Sequence, residues 1–248
     1  MKTIYILWLR QLKRYVRSKS RMIGSLAQPL LFLVSLSFGF GPVFQKAGEG
    51  NYMNFLVPGI IGMSIIFSAV FSGMEVIWDR QFGFLKETLV APVSRFNIML
   101  GRTLGGATMS VMQGLLVFVI SLFLGFRPVN WLMFPALLLL MLLVALLFTA
   151  LGTMIASLLE DMQGFQLIMN FLIMPLFFLS GAIFPLQGLP KVLTIIASLD
   201  PLAYGIDSFR SVLINTSNFG LHVDILVLSL TTLLFLGLGS YFFSKIQV

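Results

Sequence analysis

The chain has 248 residues, of which 58% are hydrophobic and only 10% charged, with a mean hydropathy of +1.00. Soluble domains usually carry about a quarter charged residues, so this composition excludes an ordinary soluble domain and marks an integral membrane protein. The net charge of +7 is not a nucleic-acid signature, because seven of the sixteen Lys and Arg fall within the first 21 residues and most others flank apolar runs. With no Cys, the chain has no disulfides, Cys-based metal sites or thiol chemistry, and no cleavable signal peptide is expected from its basic start.

Residues 1–21 open the chain as a basic amphipathic element. Tyr5, Trp8, Leu12 and Val16 share one helical face, while Arg10, Lys13, Arg14 and Arg17 occupy another. Such a helix ahead of a first span is expected to lie in the membrane interface, with its cations attracted to anionic membrane lipids. Six apolar runs then follow that are long enough to cross a bilayer: Ile23–Phe40, Phe55–Ile77, Leu104–Phe126, Trp131–Leu159, Phe165–Phe184 and Ile225–Phe243. Their continuous apolarity predicts an all-α membrane protein of six transmembrane helices, because the strands of a barrel alternate in polarity. The fourth run exceeds what a bilayer needs and is expected to tilt or project.

Orientation follows from the Lys and Arg count. With the N-terminus inside, twelve of these residues lie on the inner side and four (Lys46, Arg127, Lys191 and Arg210) on the outer, so both termini are expected to face the cytoplasm. The charged, aromatic-laced island 78–95 between the second and third runs is then cytoplasmic. Trp78, Phe82, Leu85 and Leu89 recur in it at helical spacing, with Asp79, Arg80, Lys86 and Glu87 elsewhere, which predicts one short amphipathic helix fit to dock another protein. The outer connection, residues 185–224, carries short apolar pieces broken by Pro185, Pro190 and Pro201, and is expected to form re-entrant or interfacial helices. Gly101, Gly105 and Gly106, and likewise Gly59 and Gly62 after Pro58, are expected to allow close helix approach.

Chemistry is sparse. No Gly-Lys pair occurs, so a phosphate-binding loop is impossible and the chain itself binds no nucleotide of that kind. A single His222 cannot build a His-based metal site. Glu75, Glu160 and Asp161 sit at predicted span ends rather than mid-bilayer, with Asp161 suited to cap the fifth span, which argues against an ion-driven carrier. No nucleophile–base set is visible, so the chain is expected not to be an enzyme. Among the aromatic residues of the spans, Phe67, Phe71, Phe171 and Phe178 are candidates to line a path for an amphipathic substrate, although packing is the ordinary role of such residues.

Six spans, the basic amphipathic start and the stretch Phe82-Gly83-Phe84-Leu85-Lys86-Glu87-Thr88-Leu89-Val90-Ala91-Pro92-Val93-Ser94-Arg95 together resemble ABC type-2 exporter permeases, in particular the drug-resistance and nodulation-factor branch. Two further stretches look like the same branch: Phe177-Phe178-Leu179-Ser180-Gly181-Ala182-Ile183-Phe184-Pro185 with Gly188-Leu189-Pro190, and residues 199–210, Leu199-Asp200-Pro201-Leu202-Ala203-Tyr204-Gly205-Ile206-Asp207-Ser208-Phe209-Arg210. The resemblance spans essentially the whole chain, as a single transmembrane domain over 1–248. It departs at Gln81, where the family often has Glu, and at Asp200, where it often has Asn.

The resemblance implies a half-transporter in the plasma (inner) membrane of a prokaryote. Two permease copies, a homodimer, would pair with two cytoplasmic ABC ATPase subunits, which bind the ATP and Mg. The island would be the coupling helix, with Phe82, Phe84, Leu85 and Leu89 as apolar anchors. Arg80, Lys86, Glu87 and Arg95 would set register by charge, and Pro92 would end the helix. A hydrophobic or amphipathic substrate would be exported: a drug-like molecule, a lipid or a lipid-linked glycan. The alternatives are a carrier or channel working without an ATPase, against which the lack of mid-membrane charge and of an inverted repeat stand, and a membrane enzyme or scaffold.

Overall fold

The computed structural model describes residues 2–46, 51–90, 92–186 and 190–246 and, within these, every side chain except those of Arg21 and Leu89; Ala91, Gly188 and Leu189 of the family-like stretches therefore lie outside the described residues. The described residues form helices α1 (Lys2–Arg17), α2 (Lys19–Lys46), α3 (Tyr52–Ser72), α4 (Met74–Gln81), α5 (Phe84–Val90) and α6 (Arg95–Phe123). A 3-10 turn at Trp131–Met133 leads into α7 (Phe134–Leu158), followed by α8 (Met162–Leu179), α9 (Lys191–Leu199), α10 (Pro201–Ile214) and α11 (Leu221–Ser244).

Among the described residues, six helical segments are long and apolar enough to cross a membrane: Met22–Lys46, Tyr52–Gln81, Arg95–Phe123, Trp131–Leu158, Met162–Leu179 and Leu221–Ser244. They match the six apolar runs in number and order; most edges are displaced by several residues, the first span running on to Lys46 rather than ending at Phe40, and two displacements have a visible local cause. The third begins at Arg95 rather than Leu104, since Ser94 accepts a hydrogen bond from the Asn97 amide and so caps a helix that starts in the charged region. The fifth stops at Leu179 rather than Phe184, because Gly181 takes φ +76° and leaves the helix.

The centre of the bundle is α3, most of whose span is buried, packed on α6 and α7. Backbones meet closely there: a Cβ added at Gly152 on α7 would fall 2.5 Å from the Val70 carbonyl of α3. By contrast α2, α8 and α11 bury little of their spans and present long apolar faces outward. The glycines singled out in the sequence do serve close approaches. Gly59 lies against the Ala182 backbone, Gly62 against Ile206, Gly101 and Gly105 against α1, and Gly106 against Ser72 and Thr149.

The connection between α8 and α11 folds as two short helices bent by 86° at Asp200. Asp200 Oδ1 accepts from the Leu202 amide at 2.8 Å, capping α10, and Pro201 occupies the first helical position, where its missing N–H costs nothing. Nearly all of α10 is buried against α3, α7 and α11, whereas α9 exposes Val192, Ile195 and Leu199. The molecule thus has two distinct ends: one built by α1, α4, α5 and the start of α6, the other by α10, the start of α3 and the turn after α8.

Candidate functional site

The α1 end carries the island and its supports. The one continuous amphipathic helix expected over 78–95 is instead two helices. Phe82 ends α4, Gly83 takes φ +81°, and α5 begins at Phe84 with a new rotational phase. A left-handed residue there is tolerated because glycine has no Cβ. The break separates the expected stripe. Phe82 is 80% exposed, while Leu85 is wholly buried in the core, so its expected role as an anchor on the docking surface is corrected to that of an internal support. Lys86, Glu87 and Val90 are exposed, as is Pro92 beyond the helix. The side chain of Leu89 lies outside the described residues.

Charged groups expected to face a partner are partly engaged within the chain. Arg80 pairs with Glu160 at 2.7 Å, and Gln81 Nε2 donates to the Glu160 carbonyl at 3.1 Å. Arg95 Nη1 donates to the carbonyls of Ser244 and Ile246, tying the start of α6 to the end of α11. Trp78 turns its indole N–H to Met162 Sδ, and the Arg14 guanidinium lies over its ring at 5.5 Å. Asp79, expected on the polar side of the island, is instead 6% exposed and binds two arginines.

That carboxylate is the centre of the junction. Arg102, 3% exposed on α6, donates from Nη2 to Asp79 Oδ2 at 2.6 Å. Arg10 of α1 reaches the same carboxylate with two nitrogens, at 3.3 and 3.4 Å, and its guanidinium also lies 3.6 Å over the Phe84 ring of α5. One turn before Asp79, buried Glu75 accepts from Gln11 Nε2 at 3.3 Å and lies 4.0 Å from Arg14. Four helices are therefore joined through charge at one place. The spacing of Glu75 with Asp79 and of Arg10 with Arg14, each i and i+4, was the available signal in the sequence, since such pairs share a helix face.

The face of α1 that packs inward is Leu7, Gln11 and Tyr15, against α6, with Trp8 Nε1 donating to Thr108 Oγ1 at 2.9 Å. Tyr5 and Val16 of the expected apolar face are exposed beside this seam. Gly101 and Gly105 make the seam possible, because a Cβ at either would strike Ile4, Leu7 or Gln11.

Two of the four candidate path residues come together. Phe67 and Phe71, with ring centroids 6.4 Å apart, line a cavity of about 260 Å³ shared with Tyr15, Ser64, Ser68 and Gln113. Ser64 Oγ and Gln113 Nε2 have no hydrogen-bond partner there. Phe171 and Phe178 lie on the outward face of α8. Among the described residues no group of three or more His, Asp or Glu could hold a metal ion.

The family described as ABC-2 type transporter matches residues 2–214, nearly the whole bundle. This chain belongs to the ABC-2 transporter permease family. It is 32% identical over 216 residues to transport permease ycf38 of Cyanophora paradoxa, covering 84% of this chain and 72% of the relative. It is 30% identical over 210 residues to inner membrane transport permease YadH of Escherichia coli K12, covering 82% and 80%, and 28% identical over 212 residues to nodulation protein J of Rhizobium leguminosarum bv. trifolii, covering 85% and 78%. The permease is thus a multi-pass membrane subunit of an ABC transporter, and membership in the family implies an ABC ATPase as its partner.

Proposed function

We propose that this permease is the membrane-spanning half of an ATP-driven exporter, with α5 and its flanks docking into a cytoplasmic ATPase. The observation that carries the reading is the contact series Phe84, Arg10, Asp79, Arg102, which runs from half-buried Phe84 of α5 to buried Arg102 of α6. A push on α5 presses the Phe84 ring on the Arg10 guanidinium, and the shared carboxylate passes the displacement to α4 and α6. Packed helices move as rigid bodies, so a displacement at this junction reorients the spans. Exposed Phe82 and Val90 offer apolar anchors, and Lys86 and Glu87 offer charge for register.

The rest of the assembly is read from the same features. The Lys and Arg bias supports cytoplasmic termini in a prokaryotic inner membrane. The outward faces of α2, α8 and α11 support pairing with a second copy, a homodimer served by two ATPase subunits that hold the ATP and Mg. Residues 1–248 would work as one transmembrane domain. Phe67 and Phe71 beside Ser64 and Gln113 suit a substrate with an apolar body and a polar group: a drug-like molecule, a lipid or a lipid-linked glycan. Phe171 and Phe178 would join that path where a second copy meets α8.

The test is co-purification of the tagged permease with an ABC ATPase from the same cells. A Phe82→Asp, Val90→Asp variant is expected to lose the ATPase while keeping its helical content and its elution volume. Undiminished capture overturns the docking reading. Substrate transport by liposomes holding the permease alone, without ATP, overturns the exporter reading in favour of a carrier or channel.

A further inference from the structure

The α10 end holds a second site, which the coupling junction does not use. A cavity of about 400 Å³ opens there between the end of α2, the start of α3 and the segments flanking α10. That volume falls within the range of small-ligand sites. Phe44 and Phe55, with ring centroids 5.7 Å apart, form an aromatic wall, while Asn51, Asn54 and Thr216 bring amide and hydroxyl groups. The Asn54 side chain makes no hydrogen bond to another described residue, so its amide is available to a ligand.

Arg210 completes the lining, although only 4% of it is exposed. Its Nη2 donates to the carbonyls of Gly181 at 2.7 Å, Phe55 at 3.3 Å and Ala182 at 3.5 Å, and its guanidinium lies 3.9 Å from the Phe55 ring centroid. Its Nε has no partner. The nearest carboxylate along α10, Asp207, is spent on the following loop: it accepts from Ser217 Oγ and from the amides of Asn218 and Phe219, each at 2.9 Å or less. Among the described residues no carboxylate pairs with Arg210. Burial pulls its pKa down only to about 10, so it stays cationic at neutral pH. Among the described residues this buried cation feels the charge of Asp207 and the face of the Phe55 ring but has only carbonyls as hydrogen-bond acceptors, and an anion in the adjoining cavity would give it a directly bonded charged partner.

We propose that this cavity binds an anionic, phosphate-bearing headgroup, with Arg210 as its positive floor, Asn51 and Asn54 as donors, and Phe44 and Phe55 against the apolar part of the molecule. The proposal goes beyond the docking of an ATPase and needs no partner protein. In the orientation proposed above the site opens at the outer membrane face, where the headgroup belongs to a lipid or to departing cargo. Free phosphate offers the same chemistry, and the experiment separates the two.

Purified full-length permease in maltoside micelles is titrated with short-chain phosphatidylglycerol, and the bound molecules are counted by native mass spectrometry. Saturable binding is expected, with little binding of neutral diacylglycerol of the same chain length. Loss of one charged hydrogen-bond donor corresponds to about tenfold or more in affinity, which is the weakening expected for Arg210→Gln. Because Arg210 also holds three carbonyls, that variant risks misfolding. Asn54→Trp fills the cavity without touching the guanidinium and is expected to weaken binding by a similar factor. Displacement by inorganic phosphate identifies the anion alone as the ligand, and resistance to it identifies the headgroup on its amphiphile; both outcomes support the anion site. Equal binding of neutral diacylglycerol overturns it, as does unchanged affinity in Asn54→Trp.

Discussion

The Asp79–Arg102 pair offers the sharpest test of how the coupling junction is built. Arg102 is 3% exposed, and its Nε and Nη1 have no acceptors, so Asp79 is its only hydrogen-bonding partner among the described residues. Asp79→Leu strands this cation, and breaking a buried pair from one side costs about 3–5 kcal/mol. Arg102→Leu is milder, because Asp79 keeps both bonds from Arg10, which is partly solvated, and a cost of about 1–2 kcal/mol is expected. The double Leu variant replaces the pair by apolar volume and is expected to return to within ~1–2 kcal/mol of the parent, since buried ion pairs are often no more stabilising than well-packed apolar groups. Denaturant unfolding in maltoside, followed by circular dichroism, measures the cycle. Additive losses in the double variant refute the pairing. Reconstituted with the ATPase, the stable double variant is expected to hydrolyse ATP without moving substrate; undiminished transport would show that this junction does not carry the movement.

Three further predictions concern packing and charge. Gly59→Ala drives a Cβ into the Ala182 backbone, and such overpacking is expected to cost about 1–3 kcal/mol in thermal unfolding, whereas Gly24→Ala, with nothing within 4 Å, is neutral or better. Asp200 is buried with Oδ2 unpartnered, and burial raises its pKa from 3.8 to about 7. Its protonated form therefore favours the fold. That stabilisation is complete below the unfolded value and is lost as pH rises to and through about 7, on the order of 2–3 kcal/mol across two pH units, so melting temperature should fall over this window in the parent and stay flat in Asp200→Asn. Glu160→Gln removes a pair whose acid is 78% exposed, and the melting temperature is expected to move by less than about 3 °C.

The six spans were legible because continuous apolarity needs no knowledge of packing. The start of α6 was not, because Arg95 and Arg102 read as water-facing until the end of α11 and α4 supply their partners. Helical periodicity grouped Phe82 with Leu85 and Leu89, but the rule holds only within one helix. Gly83 resets the phase, so Phe82 faces out and Leu85 faces in. The close approaches at Gly59, Gly62, Gly101, Gly105 and Gly106 were anticipated from residue type, since only the absence of a side chain permits them. Their partners were not, because they come from elements distant in the chain. The cavity beside Arg210 left no local signature either: Phe44, Asn54 and Arg210 meet only after folding.

The burial of α10 has a consequence for how the permease is made. Fourteen residues long and carrying Asp207 and Arg210, this helix is too short and too polar to enter lipid alone, where an isolated Asp or Arg at a helix centre costs about 2.5–3.5 kcal/mol on insertion. Its shelter is built from α3, α7 and α11, and α11 leaves the ribosome after α10 itself. Part of that shelter, on α3 and α7, is made before α10, and the rest arrives only with the last span. The burial of its charges is therefore expected to be completed late, once α11 is in place.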